Sequence, residues 1–336
     1  MNIIIPMAGM GKRMRPHTLT TAKPLIPIAG KPIVQRLVED IVNTTNEKVE
    51  EIAFIISPSF TKETEAMLLN VAAELGAKGH ICYQQTPLGT ADAILCAKDL
   101  LKGNVFIAFA DTLFKATFSI DTSKDAIIWT QKVEDPSAFG VVRLSEDCEI
   151  LEFVEKPKEF VSDLAIIGVY YFRDGENLKQ ELQYLIDNDI KNGGEYQLTD
   201  AMENMKSKGV KFYCDEVDEW LDCGNKDATV FTNQRMLEIK KDVEHLIHAS
   251  ANLDGTTIVP PCYIGENVII KNSIIGPHVS VEADANICHS IISNSIIQNG
   301  SIVKNAHISN SMLGKSVNYS DKPEQVSLGD FSVICK

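Results

Sequence analysis

The chain has 336 residues, of which 44% are hydrophobic and 23% charged, and its formal net charge is −14. This length allows one large domain or two, and the apolar fraction is ample for a buried core. The negative balance argues against a nucleic-acid partner, because phosphate backbones require a basic surface. No run approaches the ~18 consecutive apolar residues of a membrane span, so we expect no membrane partner.

The eight cysteines are scattered along the chain without a C-x-x-C pair. Such spacing suits neither a zinc site nor a small disulfide-bonded scaffold. Reduced thiols are typical of the cytoplasm, which is therefore the expected location.

The chain opens as an apolar strand, Asn2–Met7, and then turns through Ala8–Arg13. A strand that leads into a Gly-containing, basic turn is typical of α/β proteins that bind phosphate. Small residues let backbone N–H groups approach the oxyanion, and Arg and Lys supply positive charge. Arg13 follows Lys12, which excludes a Walker loop, and Met14 stands where a dinucleotide fingerprint requires a third glycine.

Strand and helix patterns alternate through the first half of the chain. This rhythm predicts a doubly wound, mixed and mostly parallel sheet, as in Rossmann-like α/β proteins. After residue 126 the predicted strands are separated by short connections with fewer helices between them, which predicts a mixed insertion on the sheet. The predicted strands are 51–56, 80–84, 105–109, 126–133, 139–144, 149–155 and 165–172, and the helices are 61–75 and 90–101.

The composition changes near residue 250. Between residues 251 and 318, aliphatic side chains recur every five or six positions, with Asn, Ser, Gly and Asp between them. A period of six matches the hexapeptide repeat and predicts a short left-handed parallel β-helix with about 18 residues per coil. A helix around 226–248 is expected to join the two parts. The predicted domains are a catalytic domain 1–235, a linking helix 236–250, the β-helix 251–318 and a tail 319–336.

The opening loop belongs to a longer series of motifs. The series comprises Gly9, Gly11, Arg13, Pro16, Thr18, Lys23-Pro24-Leu25, Pro27 and Lys31-Pro32-Ile33. Its order and spacing resemble the start of the sugar-1-phosphate nucleotidyltransferases, also called NDP-sugar pyrophosphorylases, including the glucose-1-phosphate thymidylyltransferases and uridylyltransferases. Ala8 and Lys12 depart from the usual Gly and Thr.

The resemblance implies roles for the basic residues of this segment. Ala8, Gly9, Gly11 and Arg13 would contact the nucleotide, with Arg13 on its β- and γ-phosphates. Lys12, which stands where the family has Thr, would add a second cation at these phosphates. The resemblance also implies that Lys23 contacts the α-phosphate region and the leaving group. Arg13 and Lys23 are therefore candidate catalytic residues.

Two aspartates are candidate Mg²⁺ ligands. Asp111 follows an apolar strand, at the edge of an α/β sheet where ligands bind, and Asp222 lies in Trp220–Gly224. Alone, each would be an ordinary turn residue. The family resemblance, in which both motifs carry a metal-binding Asp, implies that Asp111 and Asp222 share one catalytic Mg²⁺.

Gln84, Gly89 and Thr90 lie where a strand ends and a helix begins. In the family that this segment resembles, a Gln five residues before the Gly reads a pyrimidine base. A side-chain amide can serve both the N–H donor and the carbonyl acceptors of uracil or thymine. This favours UTP or dTTP over GTP, although a mannose-1-phosphate guanylyltransferase remains an alternative.

A further set of matches implies the sugar-phosphate site. Glu155 and Lys156 resemble the family's Glu-Lys-Pro motif, in which Glu meets sugar hydroxyls and Lys meets the phosphate. Gly140 and Gly168 resemble glycines that let the sugar approach the backbone. Without the family, Glu155 and Lys156 would be an exposed ion pair.

The activity implied is nucleotidyl transfer from an NTP to a sugar 1-phosphate, with glucose 1-phosphate as the default substrate. A subunit that binds a sugar nucleotide without turnover is an alternative from another class, and acyl transfer by the β-helix is a third. The ends and flat faces of a β-helix suit pairing with another chain, so a homo-oligomer, either dimer or tetramer, is expected.

Overall fold

A computed structural model describes residues 1–9, 11–116 and 120–322. The chain divides into two compact units. One comprises Met1–Ile26 and Lys31–Thr232, and the other comprises Pro27–Gly30 and the chain from Asn233 onward. Most of the predicted tail, from residue 323, lies outside the described residues.

The first part of the chain alternates strands with helices. The helices are α1 (Ile33–Thr44), α2 (Lys62–Glu74), α3 (Thr90–Leu95), α4 (Gly175–Asp187), α5 (Leu198–Ser207) and α6 (Lys226–Lys240). The strands are β1 (Asn2–Pro6), β2 (Pro27–Ile28), β3 (Lys31–Pro32), β4 (Glu51–Ile56), β5 (Lys78–Tyr83), β6 (Val105–Ala108), β7 (Thr112–Lys115), β8 (Ala126–Lys132), β9 (Gly140–Leu144), β10 (Ile150–Glu155), β11 (Leu164–Phe172), β12 (Phe212–Glu216) and β13 (Glu219–Asp222).

One large mixed sheet organises the first unit. Its strands run in the order β10-β9-β11-β6-β1-β4-β5, and β8 pairs with both β11 and β12. Strands β6, β1, β4 and β5 are parallel neighbours, whereas β11 is antiparallel to β6. Strands β6, β1 and β4 are mostly apolar and buried on both faces of the sheet, as the fully buried Ile3, Ile4 and Ile5 show, whereas the edge strand β5 is exposed or half-buried. The predicted mixed, mostly parallel α/β fold is confirmed.

Most predicted elements lie within a few residues of their observed positions, with two exceptions. The helix expected over 90–101 ends at Leu95, because backbone N–H groups from Ala97 onward donate to the third residue back and form tighter turns. The helix expected over 226–248 ends at Lys240. Within the described ranges, no helix combines the length and apolar character needed to cross a bilayer.

The second unit is built from short parallel strands. They are β14 (Asn252–Asp254), β15 (Thr257–Ile258), β16 (Cys262–Ile264), β17 (Ile269–Lys271), β18 (Ile274–Ile275), β19 (Val279–Val281), β20 (Asn286–Cys288), β21 (Ile291–Ser293), β22 (Ser295–Ile297), β23 (Ile302–Lys304), β24 (His307–Ser309), β25 (Met312–Leu313) and β26 (Asn318–Ser320).

These strands stack into three separate sheets, which is the arrangement of a parallel β-helix. Equivalent residues of successive coils are 17 residues apart early in the helix and 16 later, as the bonds Ser290 to Ser273 and Ala306 to Ser290 show. The coils are therefore slightly shorter than the expected 18. The aliphatic side chains that recur every five or six positions are buried from Ile264 to Ile308, and they form the core of this unit.

Candidate active site

The opening turn lies at the carboxyl end of β1. Gly11 adopts a left-handed backbone conformation with φ of +57°, and a Cβ on it would lie 2.9 Å from the Cβ of Lys23. Only glycine fits this close approach without strain. A short turn of 3₁₀ helix, Lys12–Met14, follows and is fixed by the fully buried side chain of Met14. The side chains of Lys12 and Arg13 are left exposed to solvent.

Lys23 is buried and forms an ion pair. Its Nζ lies 2.6 Å from Oδ2 of Asp111, and 10% of its side chain is exposed, against 40% of the Asp111 side chain. Asp111 follows β6, so its carboxylate lies at the sheet edge close to the opening turn. The pair joins two segments that are 88 residues apart in sequence.

Asp222 is brought beside Asp111 by a two-stranded antiparallel sheet of β7 and β13. In this sheet Asp222 pairs with Thr112, and the N–H of Cys223 donates to the carbonyl oxygen of Asp111 at 3.0 Å. Oδ1 of Asp222 accepts from the N–H of Gly224 at 2.9 Å. A Cβ at position 224 would lie 2.9 Å from the Asp222 carboxylate, which explains the glycine.

The two aspartates form an excess of negative charge. Burial, and secondly the charge of Asp111, raise the pKa of Asp222, whereas Lys23, the Gly224 N–H and Arg13 lower it. Over the described ranges, no group of three or more His, Cys, Asp or Glu side chains is placed to hold a metal ion. Two carboxylates alone still fit Mg²⁺, because this ion commonly takes one or two protein carboxylates and completes its shell with phosphate and water.

The neighbouring Cys223 is fully buried, and burial raises its pKa well above the ordinary value. A protonated thiol in this position is a poor nucleophile.

A cavity of about 530 Å³ opens beside the basic turn and Asp111. Its wall contains every residue that the sequence assigned to nucleotide binding, together with Lys23 and Asp111. The assigned residues that line it are Ala8, Gly9, Gly11, Lys12, Arg13, Gln84, Gly89 and Thr90. Residues Pro6, Met7, Pro87 and Phe109 add apolar surface, and Glu195 adds a carboxylate.

The loop that carries Gly89 is fixed by the segment around Tyr196. Gly89 has φ of +125°, and a Cβ there would lie 2.3 Å from the carbonyl oxygen of Tyr196. The N–H of Ala91 donates to that same oxygen at 2.9 Å. The hydroxyl of Thr90 accepts from the N–H of Leu198, also at 2.9 Å. The loop is therefore rigidly held before any ligand binds.

The side-chain amide of Gln84 is also held. Its Nε2 donates to Oδ2 of Asp92 at 2.8 Å and to the carbonyl oxygen of Gly89 at 3.2 Å. The amide hydrogens are therefore bonded within the protein, and Oε1 is the polar atom that remains for a ligand. The sequence argument, in which this amide both donates and accepts, does not anticipate this arrangement.

A second cavity, of about 250 Å³, adjoins the same carboxylates. Its wall contains the predicted sugar-side residues Gly140, Glu155 and Gly168, and also Asp222. A Cβ at Gly140 would lie 3.0 Å from Oε2 of Glu155. Among the residues that the structure describes, four line both cavities: Arg13, Thr90, Phe109 and Asp111.

Lys156 is the one predicted site residue that lines neither cavity. Its side chain is 61% exposed, and its Nζ lies 3.4 Å from Oε1 of Glu155. Its backbone has φ of +43°, and its N–H donates to the carbonyl oxygen of Phe139. Its Nζ is nevertheless close to Glu155, which lines the smaller cavity.

Sequence reasoning did not assign Thr199 or Trp220 a role in binding. Both line the smaller cavity, and neither Oγ1 of Thr199 nor Nε1 of Trp220 has a hydrogen-bond partner in the described part of the chain. Buried polar atoms are normally bonded, so these two are candidates for contact with a polar ligand. Trp220 lies in the matched segment Trp220–Gly224, but sequence does not reveal an unsatisfied atom.

The sequence and fold place the chain in a known family. The family model described as Nucleotidyl transferase matches residues 2–238, and the chain belongs to this family. The structure of a UDP-glucose pyrophosphorylase complexed with UDP-glucose matches with a TM-score of 0.57 and 22% identity, over 71% of this chain and 98% of that one. At this identity the match supports the fold alone.

Several named proteins are similar to this chain. A glucose-1-phosphate thymidylyltransferase of Streptomyces griseus is 26% identical over 99% of this chain and 98% of its own length. The nucleotidyltransferase Agl11 of low-salt glycan biosynthesis in Haloferax volcanii is 28% identical over 94% of this chain and 92% of its own. A bifunctional protein GlmU of Methanococcus maripaludis is 30% identical over 81% of this chain but only 62% of its own length.

Proposed function

We propose that this protein transfers a nucleotidyl group from UTP or dTTP to a sugar 1-phosphate, giving an NDP-sugar and pyrophosphate. The observation that carries the proposal is the meeting of two cavities at Arg13 and Asp111, with Asp222 beside them. A nucleotide suits the larger cavity, which has a basic turn at its wall. A monosaccharide suits the smaller one, and glucose 1-phosphate is the proposed default.

In this reaction a phosphate oxygen of the sugar 1-phosphate attacks the α-phosphorus of the nucleotide. The bond from that phosphorus to the bridging oxygen of the β-phosphate breaks, and pyrophosphate leaves. Arg13 and Lys12 neutralise the β- and γ-phosphates, and Lys23 stabilises charge near the α-phosphorus. The protein contributes mainly positioning and charge neutralisation, as in phosphoryl transfer.

Asp111 and Asp222 are the residues that would hold Mg²⁺. The ion would supply positive charge between the nucleotide and sugar phosphates. Glu155, Thr199 and Trp220 would hydrogen-bond the sugar hydroxyls, and Lys156 would orient the attacking phosphate.

The direct test is pyrophosphate release from five NTPs, each combined with several sugar 1-phosphates. We expect release with UTP or dTTP, dependence on Mg²⁺, and loss of activity with a chelator. UTP and dTTP differ by one methyl group, worth about 1–3 kcal/mol in a pocket, so partial use of both is consistent with the proposal. Nucleotide binding without pyrophosphate release under any combination would contradict it and would support a non-catalytic binding subunit.

A further inference from the structure

Gln84, on the wall of the larger cavity, is hydrogen-bonded to Asp92 behind that wall. Gln84 is 7% exposed and lines this cavity. Asp92 lies in α3 and is not part of the cavity wall formed by the described residues. The two side chains are joined by the 2.8 Å bond from Nε2 of Gln84 to Oδ2 of Asp92.

The orientation of this amide follows from the chemistry of its neighbours. An ionised carboxylate and a backbone carbonyl only accept hydrogen bonds, whereas the NH₂ group of Gln only donates. With Asp92 on one hydrogen and the carbonyl oxygen of Gly89 on the other, the amide cannot turn over without placing Oε1 against two acceptors. Oε1 is therefore the amide atom that these two acceptors leave available, on a side chain that lines the cavity.

We propose that Asp92 is a specificity-determining positioning residue, which locks the Gln84 amide so that it presents only an acceptor to the nucleotide base. This inference rests on the proposed function. Uracil and thymine carry a hydrogen on N3, which can donate to such an acceptor. Cytosine carries a lone pair on N3, which would face Oε1 unfavourably, and the locked amide has no free hydrogen to offer.

The test compares kcat/KM for UTP with kcat/KM for CTP in each variant, with one sugar 1-phosphate. The ratio is independent of the fraction of active enzyme, so partial misfolding does not disturb it. We expect the wild-type protein to favour UTP. In Asp92→Ala the Gln84 amide is free to turn and to satisfy either base, so the ratio should fall about tenfold, the worth of one hydrogen bond.

Two controls separate this role from a general effect. Asp99→Ala removes an exposed carboxylate seven residues further along the chain and should leave the ratio unchanged. In a Gln84→Ala background, Asp92→Ala should produce no further fall, because Asp92 acts only through Gln84. If Asp92→Ala does not fold, Asp92→Asn is used in its place. Its UTP to CTP ratio should also fall, because the new side-chain amide can donate a hydrogen bond to Gln84 as well as accept one.

An unchanged ratio in Asp92→Ala, or in Asp92→Asn where that variant is used, would overturn the inference. A fall in Asp99→Ala, or an equal fall in the Gln84→Ala background, would overturn it as well. A different result would contradict the proposed function: the wild-type protein would release no pyrophosphate from any NTP. In that case calorimetric binding of UTP and CTP alone gives the corresponding ratio, and the same variants decide the inference.

Discussion

Lys23 is the buried cation of the candidate active site, whereas Lys12 and Arg13 are exposed. A buried lysine needs a partner, and Asp111 provides it at 2.6 Å. Lys23 therefore offsets part of the negative charge that Asp111 and Asp222 bring together, and we propose that it also offers charge to the nucleotide.

Replacement of Lys23 by Met keeps most of the side-chain length and removes the charge. We expect pyrophosphate release to fall by about 10²–10³-fold, the typical effect of losing one charged group that stabilises a transition state. Steady-state kinetics measure this loss. Lys62→Met is the matched control, because Lys62 is exposed and its partners are its helix neighbour Glu65 and Tyr83, outside both cavities. Near-normal turnover in Lys23→Met would contradict the assigned role.

The residues themselves predicted that the Gly-containing, basic turn after an apolar strand binds phosphate, and the family resemblance added Gln84, Gly89 and Thr90. They did not predict how the Gln84 amide is hydrogen-bonded, because its bonds to Asp92 and Gly89 depend on side-chain geometry. Nor did they show that Lys156 lines neither cavity, because its position depends on a left-handed backbone conformation that the sequence Glu-Lys-Pro does not specify.

Among the elements, the antiparallel pair β7 and β13 sets the position of both aspartates. Its strands are about a hundred residues apart in sequence, and local hydrophobic patterns contain no information on such pairing. The convergence of Asp111 and Asp222 was therefore available only from the family resemblance. The hexapeptide period, by contrast, repeats locally and predicted the β-helix from sequence, apart from the shorter coils.

Glycines at the corners of the β-helix allow a test of its packing. Gly276 and Gly300 both have positive φ, +113° and +66°. A Cβ at Gly276 would lie 1.9 Å from the carbonyl oxygen of Val259, whereas at Gly300 the nearest atom is 3.5 Å away. Gly300→Ala should cost about 1–2 kcal/mol through backbone strain, and Gly276→Ala at least about 3 kcal/mol. Urea unfolding measures both; equal losses would show that the close approach is easily relieved.

The last turns of α6 supply a pH-dependent contact within the second unit. Oε1 of Glu238 lies 2.7 Å from Nε2 of His278, and Oε2 lies 2.9 Å from Nζ of Lys241. The hydrogen bond from His278, and secondly that from Lys241, lower the pKa of Glu238 to about 2. Because this pKa is depressed, the carboxylate adds stability above its ordinary pKa, and that stability is lost as the pH falls towards 2.

Glu238→Gln should therefore unfold at a lower temperature than the wild-type protein at pH 6, by an amount equivalent to about 0.2–1 kcal/mol. The difference should shrink as the pH is lowered below 4.5, where the wild-type carboxylate begins to lose its advantage. Thermal melts at a series of pH values measure it. Glu266→Gln, at an exposed residue of the same unit, should match the wild-type protein throughout. A pH-independent difference for Glu238→Gln would contradict the argument.

At the scale of the whole molecule, we propose a homo-oligomer, because a β-helix presents flat faces and open ends to other chains. Light scattering after size-exclusion chromatography should give two or four times the chain mass of 37.1 kDa. The same mass should persist over a tenfold range of micromolar concentrations. A mass of one chain throughout would refute the proposal.

The protein has a net charge of −14, yet both of its proposed substrates, an NTP and a sugar 1-phosphate, are anions. Attraction must therefore be local, and it is concentrated at Lys12, Arg13 and Lys23 on the wall of the larger cavity. A net negative charge on the protein is compatible with anion binding at the basic turn. Salt screens interactions between surface charges beyond about 8 Å at physiological ionic strength.

Arg13 and Asp111 belong to the walls of both cavities. A ligand in either cavity would change the charge that a ligand in the other cavity meets, so we expect the binding of the two substrates to be coupled. Thermodynamic reciprocity then requires that whatever factor the nucleotide imposes on affinity for the sugar phosphate, the sugar phosphate imposes equally on affinity for the nucleotide.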